Sequence, residues 1–226
     1  MNATEACIAL NMLPTIGPVR LRKLLEVFKE PQEILAAKRN ELRKVEGIGN
    51  EVADQISNWE SIVNLGAELD RIREFGATVI TQESPSYPKA LREIHAPPIV
   101  LYVWGELEER DHHAIGVIGA RRTTHYGVES AKKLAFQLAY AGLTVISGLA
   151  RGIDTAAHQG ALAAKGRTIA VIGSGLARLY PPENAALAEK IRTQSRHFLL
   201  EFSMGIEPDR QTYPMRNRIK IGRAHV

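Results

Sequence analysis

Cysteine is almost absent from this sequence, because Cys7 is the only one among its 226 residues. A single cysteine cannot form a disulfide within the chain, and it cannot supply the set of thiolates that a cysteine-based zinc site needs. The sequence therefore favours a reducing compartment. Long apolar runs are also missing, since no segment approaches the roughly 20 residues that cross a bilayer. The N-terminus lacks a basic segment followed by an apolar one, so we expect a cytoplasmic protein with no membrane partner.

The sequence also lacks the glycine patterns of common nucleotide sites. Gly173 and Gly175 begin a G-x-G pattern, but Arg178 stands where the dinucleotide fingerprint has its third glycine, and no P-loop pattern occurs. We therefore predict neither a dinucleotide cofactor nor a P-loop ATPase, and no cofactor of another kind. The adjacent His112 and His113 point to opposite sides of an extended chain and have no paired ligand spacing nearby, so we predict no metal site.

The overall composition is that of a soluble globular protein. Hydrophobic residues make up 45% of the chain and charged residues 24%, and the length allows more than one domain. The formal net charge is +4. This mild basicity is compatible with a nucleic-acid partner but does not indicate one, because basic soluble proteins are common.

Residues 1–75 have a helical apolar pattern that contains an internal repeat. Residues 10–17, LNMLPTIG, align with residues 42–49, LRKVEGIG. The repeat resembles tandem helix–hairpin–helix motifs, although Thr15 replaces a glycine in the first copy. In such motifs the turn glycines, here Gly17, Gly47 and Gly49, allow N–H groups at the next helix N-terminus to contact a DNA phosphate without reading its sequence. The alternative is a small helical bundle that binds no ligand.

From residue 76 the pattern changes to alternating strands and helices. The apolar runs predict strands at 78–80, 99–104, 114–118, 144–146, 168–172 and 198–202. The helical patterns between the later strands cover residues 126–141, 154–164 and 183–192. This alternation predicts an α/β fold with a Rossmann-like, doubly wound parallel sheet in residues 76–220, preceded by the helical domain of residues 1–75.

Three successive predicted strands end in glycine-rich turns. Gly119 follows the strand at 114–118, Gly148 and Gly152 follow the next one, and Gly173 and Gly175 follow the third. Adjacent parallel strands end at one edge of the sheet, where open α/β sheets bind ligands. Backbone N–H groups at these turns therefore form a candidate anion site. The alternative for each turn is a tight connection that needs glycine for its geometry alone.

Arginines and tyrosines accompany these turns. Arg121, Arg122 and Arg151 offer positive charge to phosphates, and Tyr180 and Tyr213 offer flat faces to bases, which are the two needs of a single-strand site. Each tyrosine is alternatively a half-buried packing residue. Arg121 has a structural alternative too, in which it pairs with an acidic side chain such as Glu201 and only braces its turn.

Two further groups of residues have competing interpretations. Asp154 is a predicted helix N-cap, and His158 lies one turn later on the same face. The two form either an acid–base pair or a structural contact, and the structural reading is favoured because no nucleophile or metal set joins them. Arg216, Asn217 and Arg218 lie at a predicted helix start, where they suit a phosphate or an acidic group; the alternative is a solvated helix end.

Five ordered blocks of this chain together resemble the DNA-processing protein A family, also called DprA or Smf. The blocks are 119–121 (GAR), 147–158 (SGLARGIDTAAH), 170–176 (AVIGSGL), 180–184 (YPPEN) and 213–219 (YPMRNRI). The resemblance implies an extended Rossmann-like fold that binds single-stranded DNA, protects incoming strands and helps to load the RecA recombinase in natural transformation. It also implies a homodimer without catalytic activity.

The turns and the resemblance together define the expected DNA-binding residues. They are Gly119, Ala120, Arg121, Arg122, Ser147, Gly148, Arg151, Gly152, Asp154, His158, Gly173, Ser174, Gly175, Tyr180, Asn184, Tyr213, Pro214, Arg216, Asn217 and Arg218. The alternative function is that of a nucleotide-binding, Rossmann-like enzyme of the phosphoribohydrolase type. Such enzymes carry a P-G-G-x-G-T-x-x-E block, which this sequence lacks.

The chain departs from the family pattern at two places. Leu200 precedes Glu201 where family members usually have a serine, and Lys220 follows Ile219 where they usually continue with I-A-G-L-S. Residues 221–226, IGRAHV, resemble a translated sequencing adapter. We therefore expect that residues 221–226 are a non-native tail and that the domain starting at residue 76 is incomplete.

Overall fold

The computed structural model describes residues 1–195, 197–209 and 211–223. Seven helices form the front of the chain: α1 (Ala3–Met12), α2 (Pro18–Phe28), α3 (Pro31–Ala36), α4 (Arg39–Leu42), α5 (Asn50–Ser57), α6 (Trp59–Ile62) and α7 (Leu65–Phe75). Helix α1 begins with a capping box, in which Asn2 and Glu5 each accept the other's backbone N–H. Helix α7 ends at Gly76, whose positive φ of 64° provides the left-handed cap.

The internal repeat forms two matching turns, which confirms the predicted helix–hairpin–helix architecture. Gly17 is the N-cap of α2, and Gly49 is the N-cap of α5. Gly47 has a φ of 82°, a conformation that glycine adopts without strain. Thr15 occupies the matching place in the first turn, and its hydroxyl donates to Gln55 Oε1 at 2.8 Å. The departure at Thr15 therefore links the first turn to α5, the helix that follows the second turn.

The second part of the chain contains one six-stranded sheet. Its strands are β1 (Thr78–Thr81), β2 (Val100–Gly105), β3 (Ala114–Gly116), β4 (Thr144–Ser147), β5 (Thr168–Val171) and β6 (His197–Leu200). The connecting helices are α8 (Lys89–Arg92), α9 (His125–Tyr140), α10 (Ile153–Ala163), α11 (Ala185–Lys190) and α12 (Thr212–Arg223). The predicted α/β class with a helical front is confirmed.

The sheet differs from the prediction in its strand directions. The strand order is β1-β2-β6-β5-β4-β3, in which β3 to β6 are parallel neighbours and β2 runs opposite to the other five strands. Strand β2 pairs antiparallel with both β1 and β6, so the sheet is mixed. Because the order from β3 to β6 never reverses, helices α9, α10 and α11 cover one face, while α8 and α12 pack on the other. Apolar strand patterns do not encode the direction in which distant strands pair.

A continuous core joins the front helices to the sheet. Leu10 and Ile56 from the front belong to the same buried cluster as Tyr102 of β2 and Leu200 of β6. Two polar contacts cross the same boundary: Asn11 Nδ2 donates to the carbonyl of Glu201 at 2.9 Å, and Met204 N donates to the buried Glu68 at 2.7 Å. The domain boundary after residue 75 stays a prediction, and the buried core extends across that boundary.

Two expectations about the chain as a whole concern the membrane and the C-terminus. Among the helices in the described ranges, none combines the length and the apolar character that a bilayer crossing requires. Ile221, Gly222 and Arg223 lie in the last turn of α12, and the rest of the predicted non-native tail, residues 224–226, lies outside the described residues.

Candidate nucleic-acid interface

The turns after β3, β4 and β5 lie side by side, since these three strands are parallel neighbours. We call this surface the strand-end edge and define it as residues 118–124, 148–152 and 172–175 together with Tyr180 and Tyr213. The sequence predicted that these turns would share one edge, and the strand order brings them together there.

Two arginines and two tyrosines form a row on the strand-end edge, which we call the Arg–Tyr row. The guanidinium of Arg121 lies 4.6 Å from the ring centre of Tyr213. The rings of Tyr213 and Tyr180 are 6.2 Å apart, and Arg151 lies 5.6 Å from the ring centre of Tyr180. Cation–π contacts of this kind orient a guanidinium while its N–H groups remain available to another partner.

The two arginines of the row differ in their partners. Arg121 is exposed and makes no ion pair within the described residues, and Glu201 pairs with Arg218 instead. The alternative in which Arg121 pairs with Glu201 is therefore wrong. Arg151 Nη2 lies 2.7 Å from Glu183 Oε1, and this contact raises the pKa of Arg151. A hydrogen bond to its own backbone, and then the contact with Arg151, lower the pKa of Glu183. This pair is solvent-exposed, so it contributes little stability and Arg151 can exchange it for a phosphate.

The turn after β4 is held from beneath by Arg216. This side chain is only 2% exposed, and its Nη1 donates to the carbonyls of Gly148 (2.7 Å) and Val171. Asp154 Oδ2 accepts the N–H of Gly148 at 3.1 Å. A side chain at Gly148 would place its Cβ 2.6 Å from both the Arg216 guanidinium carbon and Asp154 Oδ2. The glycine is required here by close packing.

Two sequence expectations for this turn need correction. Asp154 is not the N-cap of α10, because Gly152 holds that position and the Asp154 carboxylate turns back to Gly148. Arg216 does not present its guanidinium at an exposed helix start, because α12 begins at Thr212 and the first turn carries Arg216 into the core. Burial lowers the pKa of Arg216, and Asp154 opposes this effect.

The turns after β3 and β4 are packed directly on each other. Gly152 has a φ of 78°, and Ile153 N donates to the carbonyl of Ala120 at 3.3 Å. A Cβ at Gly152 would lie 2.8 Å from the carbonyl oxygen of Arg121. Because Gly152 has no side chain, the two turns pack closely, and this packing fixes the backbone that carries Arg121.

His158 is a structural residue beneath the same turn. It is fully buried, its Nδ1 lies 2.7 Å from Thr168 Oγ1, and its Nε2 accepts the N–H of Leu149 at 3.3 Å. Thr168 Oγ1 donates to the carbonyl of Val145, so Nδ1 carries the proton of a neutral ring. Burial lowers the pKa of His158 to about 4, and Arg216 and Lys220 act in the same direction.

Several other predicted residues also brace the site from inside. Asn184 Nδ2 donates to the carbonyl of Leu149 and to Thr155 Oγ1, both at 2.8 Å. Arg218 Nη1 lies 2.6 Å from Glu201 Oε2, and its Nε donates to the carbonyl of Ala96 at 2.8 Å. The sequence allowed an acidic partner for Arg218, and the structure shows that this partner is Glu201 of the same chain. Burial raises the pKa of Glu201 while Arg218 opposes it.

The remaining predicted residues divide into buried and accessible positions. Ser147 donates to the carbonyl of Val117 at 2.7 Å, and Ser174 is buried. Gly173 lies under the Tyr213 ring, and Gly175 packs against Met204 and donates to the carbonyl of Ile206. Exposed or half-exposed positions are Gly119, Ala120, Arg121, Arg122, Arg151, Gly152, Tyr180, Tyr213, Pro214, Asn217 and Arg218. These accessible residues are the ones that can meet a ligand.

Lys220 lies with Asp154 and Arg216 in a buried charged cluster beneath the turn after β4, and the sequence did not lead us to expect it there. It is 2% exposed, and its Nζ lies 3.4 Å from Asp154 Oδ2. Burial lowers the pKa of Lys220 to about 8. Its spacing of four residues from Arg216 puts both cations on one face of α12, and this was the available signal. Arg216 and Lys220 lie around the Asp154 carboxylate, and these three side chains together place net positive charge beneath the turn.

The accessible groups of this edge are guanidinium groups and aromatic rings. Exposed guanidinium groups hold phosphates through paired hydrogen bonds, and half-exposed rings stack on bases. In the described ranges, no three potential metal-ligating side chains lie together.

Comparison with known proteins identifies the family. Residues 78–226 match the family described as DNA recombination-mediator protein A, and residues 8–58 match the SAM-like helix-hairpin-helix tandem. The chain is 35% identical over 219 residues to Protein Smf of Synechocystis and 38% identical over 156 residues to DNA processing protein DprA of Bacillus subtilis. These matches cover 95% and 68% of this chain and 55% and 52% of the relatives. The chain thus spans about half the length of these curated relatives.

Solved structures agree with this assignment. The chain is similar to DNA processing protein A from Streptococcus pneumoniae, with a TM-score of 0.80, 29% identity, and coverage of 99% of this chain and 76% of that one. It is also similar to DNA processing protein A from Helicobacter pylori, a structure described for its single-stranded DNA binding mode. That match has a TM-score of 0.59, 30% identity, and coverage of 67% and 68%. The fold, the ordered motifs and these matches together confirm the resemblance found in the sequence, and the chain belongs to the DNA recombination-mediator protein A family.

Proposed function

We propose that this chain binds single-stranded DNA along the strand-end edge, with the Arg–Tyr row as its main contact. The observation that carries the proposal is the position of Arg121, an exposed guanidinium held 4.6 Å from the Tyr213 ring. The Tyr213 ring holds the Arg121 guanidinium at the surface, and no carboxylate pairs with it within the described residues. A phosphate therefore does not have to displace an acidic partner.

The row favours a single strand over a duplex. Tyr180 and Tyr213 lie 6.2 Å apart and at 52° to each other, and Tyr180 is 37% exposed. Such rings can stack on unpaired bases, whose faces are inaccessible within a duplex. Phosphate contacts and stacking do not read base edges, so we expect little sequence preference. The similarity to the Helicobacter pylori protein, described for its single-stranded DNA binding mode, supports the same partner.

Membership of the family supports a wider proposal. We propose that the chain acts in the cytoplasm as part of a homodimer without enzymatic activity, protects incoming single strands and helps to load the RecA recombinase during natural transformation. The rival proposal, a nucleotide enzyme of the phosphoribohydrolase type, is disfavoured because the required glycine-rich block is missing from the sequence. His158 also lacks the position for acid–base chemistry, since it is buried and bonded to Thr168.

The proposal is tested by competition between oligonucleotides of equal length. Fluorescence anisotropy with a labelled single strand, competed by unlabelled single or double strands at one salt concentration, measures the preference directly. We expect the single strand to compete at least about tenfold better, and different base sequences to compete equally. Equal or better competition by the duplex would rule out the proposed binding mode.

A further inference from the structure

The outer face of α9 exposes more large side chains than its position requires. Tyr126 and Tyr140 are 82% and 79% exposed, and Leu134 and Phe136 are also exposed. The inner face of the helix contains Ala131, Ala135 and Ala139, which pack toward α10. The small residues therefore face the core while the aromatic residues face solvent, which is the reverse of what stability alone favours.

Two of these aromatic rings form an exposed stack beside positive charge. Phe136 and Tyr140 lie one helical turn apart, with ring centres 6.1 Å apart and ring planes within 7°. Lys133 is exposed one turn earlier on the same side, and the exposed Glu129 lies one turn before Lys133. Lys165 is exposed, and the next residue, Gly166, packs against Ala139 in the last turn of α9. Parallel rings beside Lys133 match the bases and the phosphates of a single strand.

The same helix begins at the strand-end edge. Thr124 caps α9 by accepting the N–H of Gly127 at 3.1 Å, and Arg121 and Arg122 lie three and two residues before this cap. Tyr126 is the second residue of α9 and therefore follows directly on the strand-end edge. The 16 residues of α9 extend about 24 Å from that point. This length corresponds to about seven nucleotides at the rise of a stacked strand.

We propose that the outer face of α9, from Tyr126 to Tyr140, is a second contact surface for single-stranded DNA that continues the path leaving the strand-end edge. The proposal rests on the proposed function, because it requires that a strand binds at the Arg–Tyr row. Lys133 on this face, together with the exposed Arg121 and Arg122 just before the helix, favours a polyanion over a protein partner. Long strands therefore gain contacts on α9 that short strands cannot reach.

The test compares a short and a long oligothymidine, of about six and about twenty nucleotides. The variant carries Phe136→Ala together with Tyr140→Ala. We expect it to bind the long strand at least about fivefold more weakly than the unchanged chain does, because each stacked ring lost costs at least that factor. Affinity for the short strand should stay within about twofold. Tyr140→Phe retains the ring and should bind both strands normally.

Two controls keep folding and self-association separate from binding. Val27→Ala removes a comparably exposed side chain from α2 and should change neither affinity. A photoreactive thymine at the far end of the long strand should crosslink to residues of α9. Equal losses on both strands, an unchanged affinity for the long strand, or a change in sedimentation without a change in affinity would each overturn the α9 proposal. Absence of binding to either strand by the unchanged chain would overturn the proposed function as well.

Discussion

At the scale of single residues, Gly148 links the packing of the core to the geometry of the site. Gly148→Ala should lower the free energy of unfolding by about 1–3 kcal/mol, because its Cβ would overlap the buried Arg216 guanidinium and Asp154. Gly66→Ala in α7 is the matched control, since nothing lies closer than 3.8 Å to its Cβ. Alanine there should be neutral or stabilising. Urea unfolding checks both, and equal stabilities would contradict the packing role of Gly148.

Residue types predicted the composition of the site better than the role of each member. The glycine turns, Arg121 and the tyrosines were proposed from the sequence because glycine and arginine after parallel strands suit an anion site, although each had a structural alternative as well. Arg216, Arg218 and Asp154 could not be assigned from sequence, because whether a polar side chain faces solvent or core depends on the helix rotation. Here α12 turns Arg216 inward to the carbonyl of Gly148.

At the scale of secondary-structure elements, His158 ties α10 to β5 through Thr168. Its pKa of about 4 lies below the ordinary value of 6.5. The unfolded chain therefore binds a proton that the folded chain does not bind between these pH values, so stability falls as the pH falls through this window. The full effect is at most about 3 kcal/mol.

His158→Gln removes this titration while retaining a polar side chain. Although the variant should be less stable than the unchanged chain at pH 7, the gap between the two should narrow as the pH falls from 6.5 toward 4. Urea unfolding at several pH values measures the gap. A gap that does not change with pH would show that His158 titrates normally in the folded protein.

The elements themselves were largely predictable, and their arrangement was only partly so. Each apolar run that the sequence marks from 78–80 to 198–202 contains a strand, because burial on both faces requires continuous apolar residues. The place of β2 beside β6 was not predictable, since it depends on a contact between Trp104 and Phe198, residues nearly a hundred positions apart.

At the scale of the whole molecule, the shared core predicts a single cooperative unfolding transition. Trp59 lies in the front helices and Trp104 in β2, and both pack against the same buried cluster. Trp59→Phe and Trp104→Phe therefore leave one fluorescent probe in each part. In each variant, urea unfolding followed by the fluorescence of the remaining tryptophan should have the same midpoint as unfolding followed by far-ultraviolet circular dichroism. Two separate transitions within one variant would show that the parts fold independently.

The same core changes the design of truncation experiments. Removing residues 1–75 would expose Tyr102 and Leu200, which the front helices now cover. Loss of DNA binding after such a deletion would therefore report unfolding and not the location of the site. Point substitutions in the complete chain are the appropriate tests of the strand-end edge.

The most direct test of the central claim is the salt dependence of single-strand affinity for Arg121→Ala and Arg121→Lys. Arg121 is exposed and unpaired within the described residues, so both variants should melt at the temperature of the unchanged chain. Arg121→Ala should bind about ten- to a hundredfold more weakly. It should also lower the slope of log affinity against log salt by about 0.7, the value for one phosphate on a single strand. Arg121→Lys should restore the slope and only part of the affinity. A folded Arg121→Ala variant with unchanged affinity and unchanged slope would contradict the assignment of DNA binding to the strand-end edge.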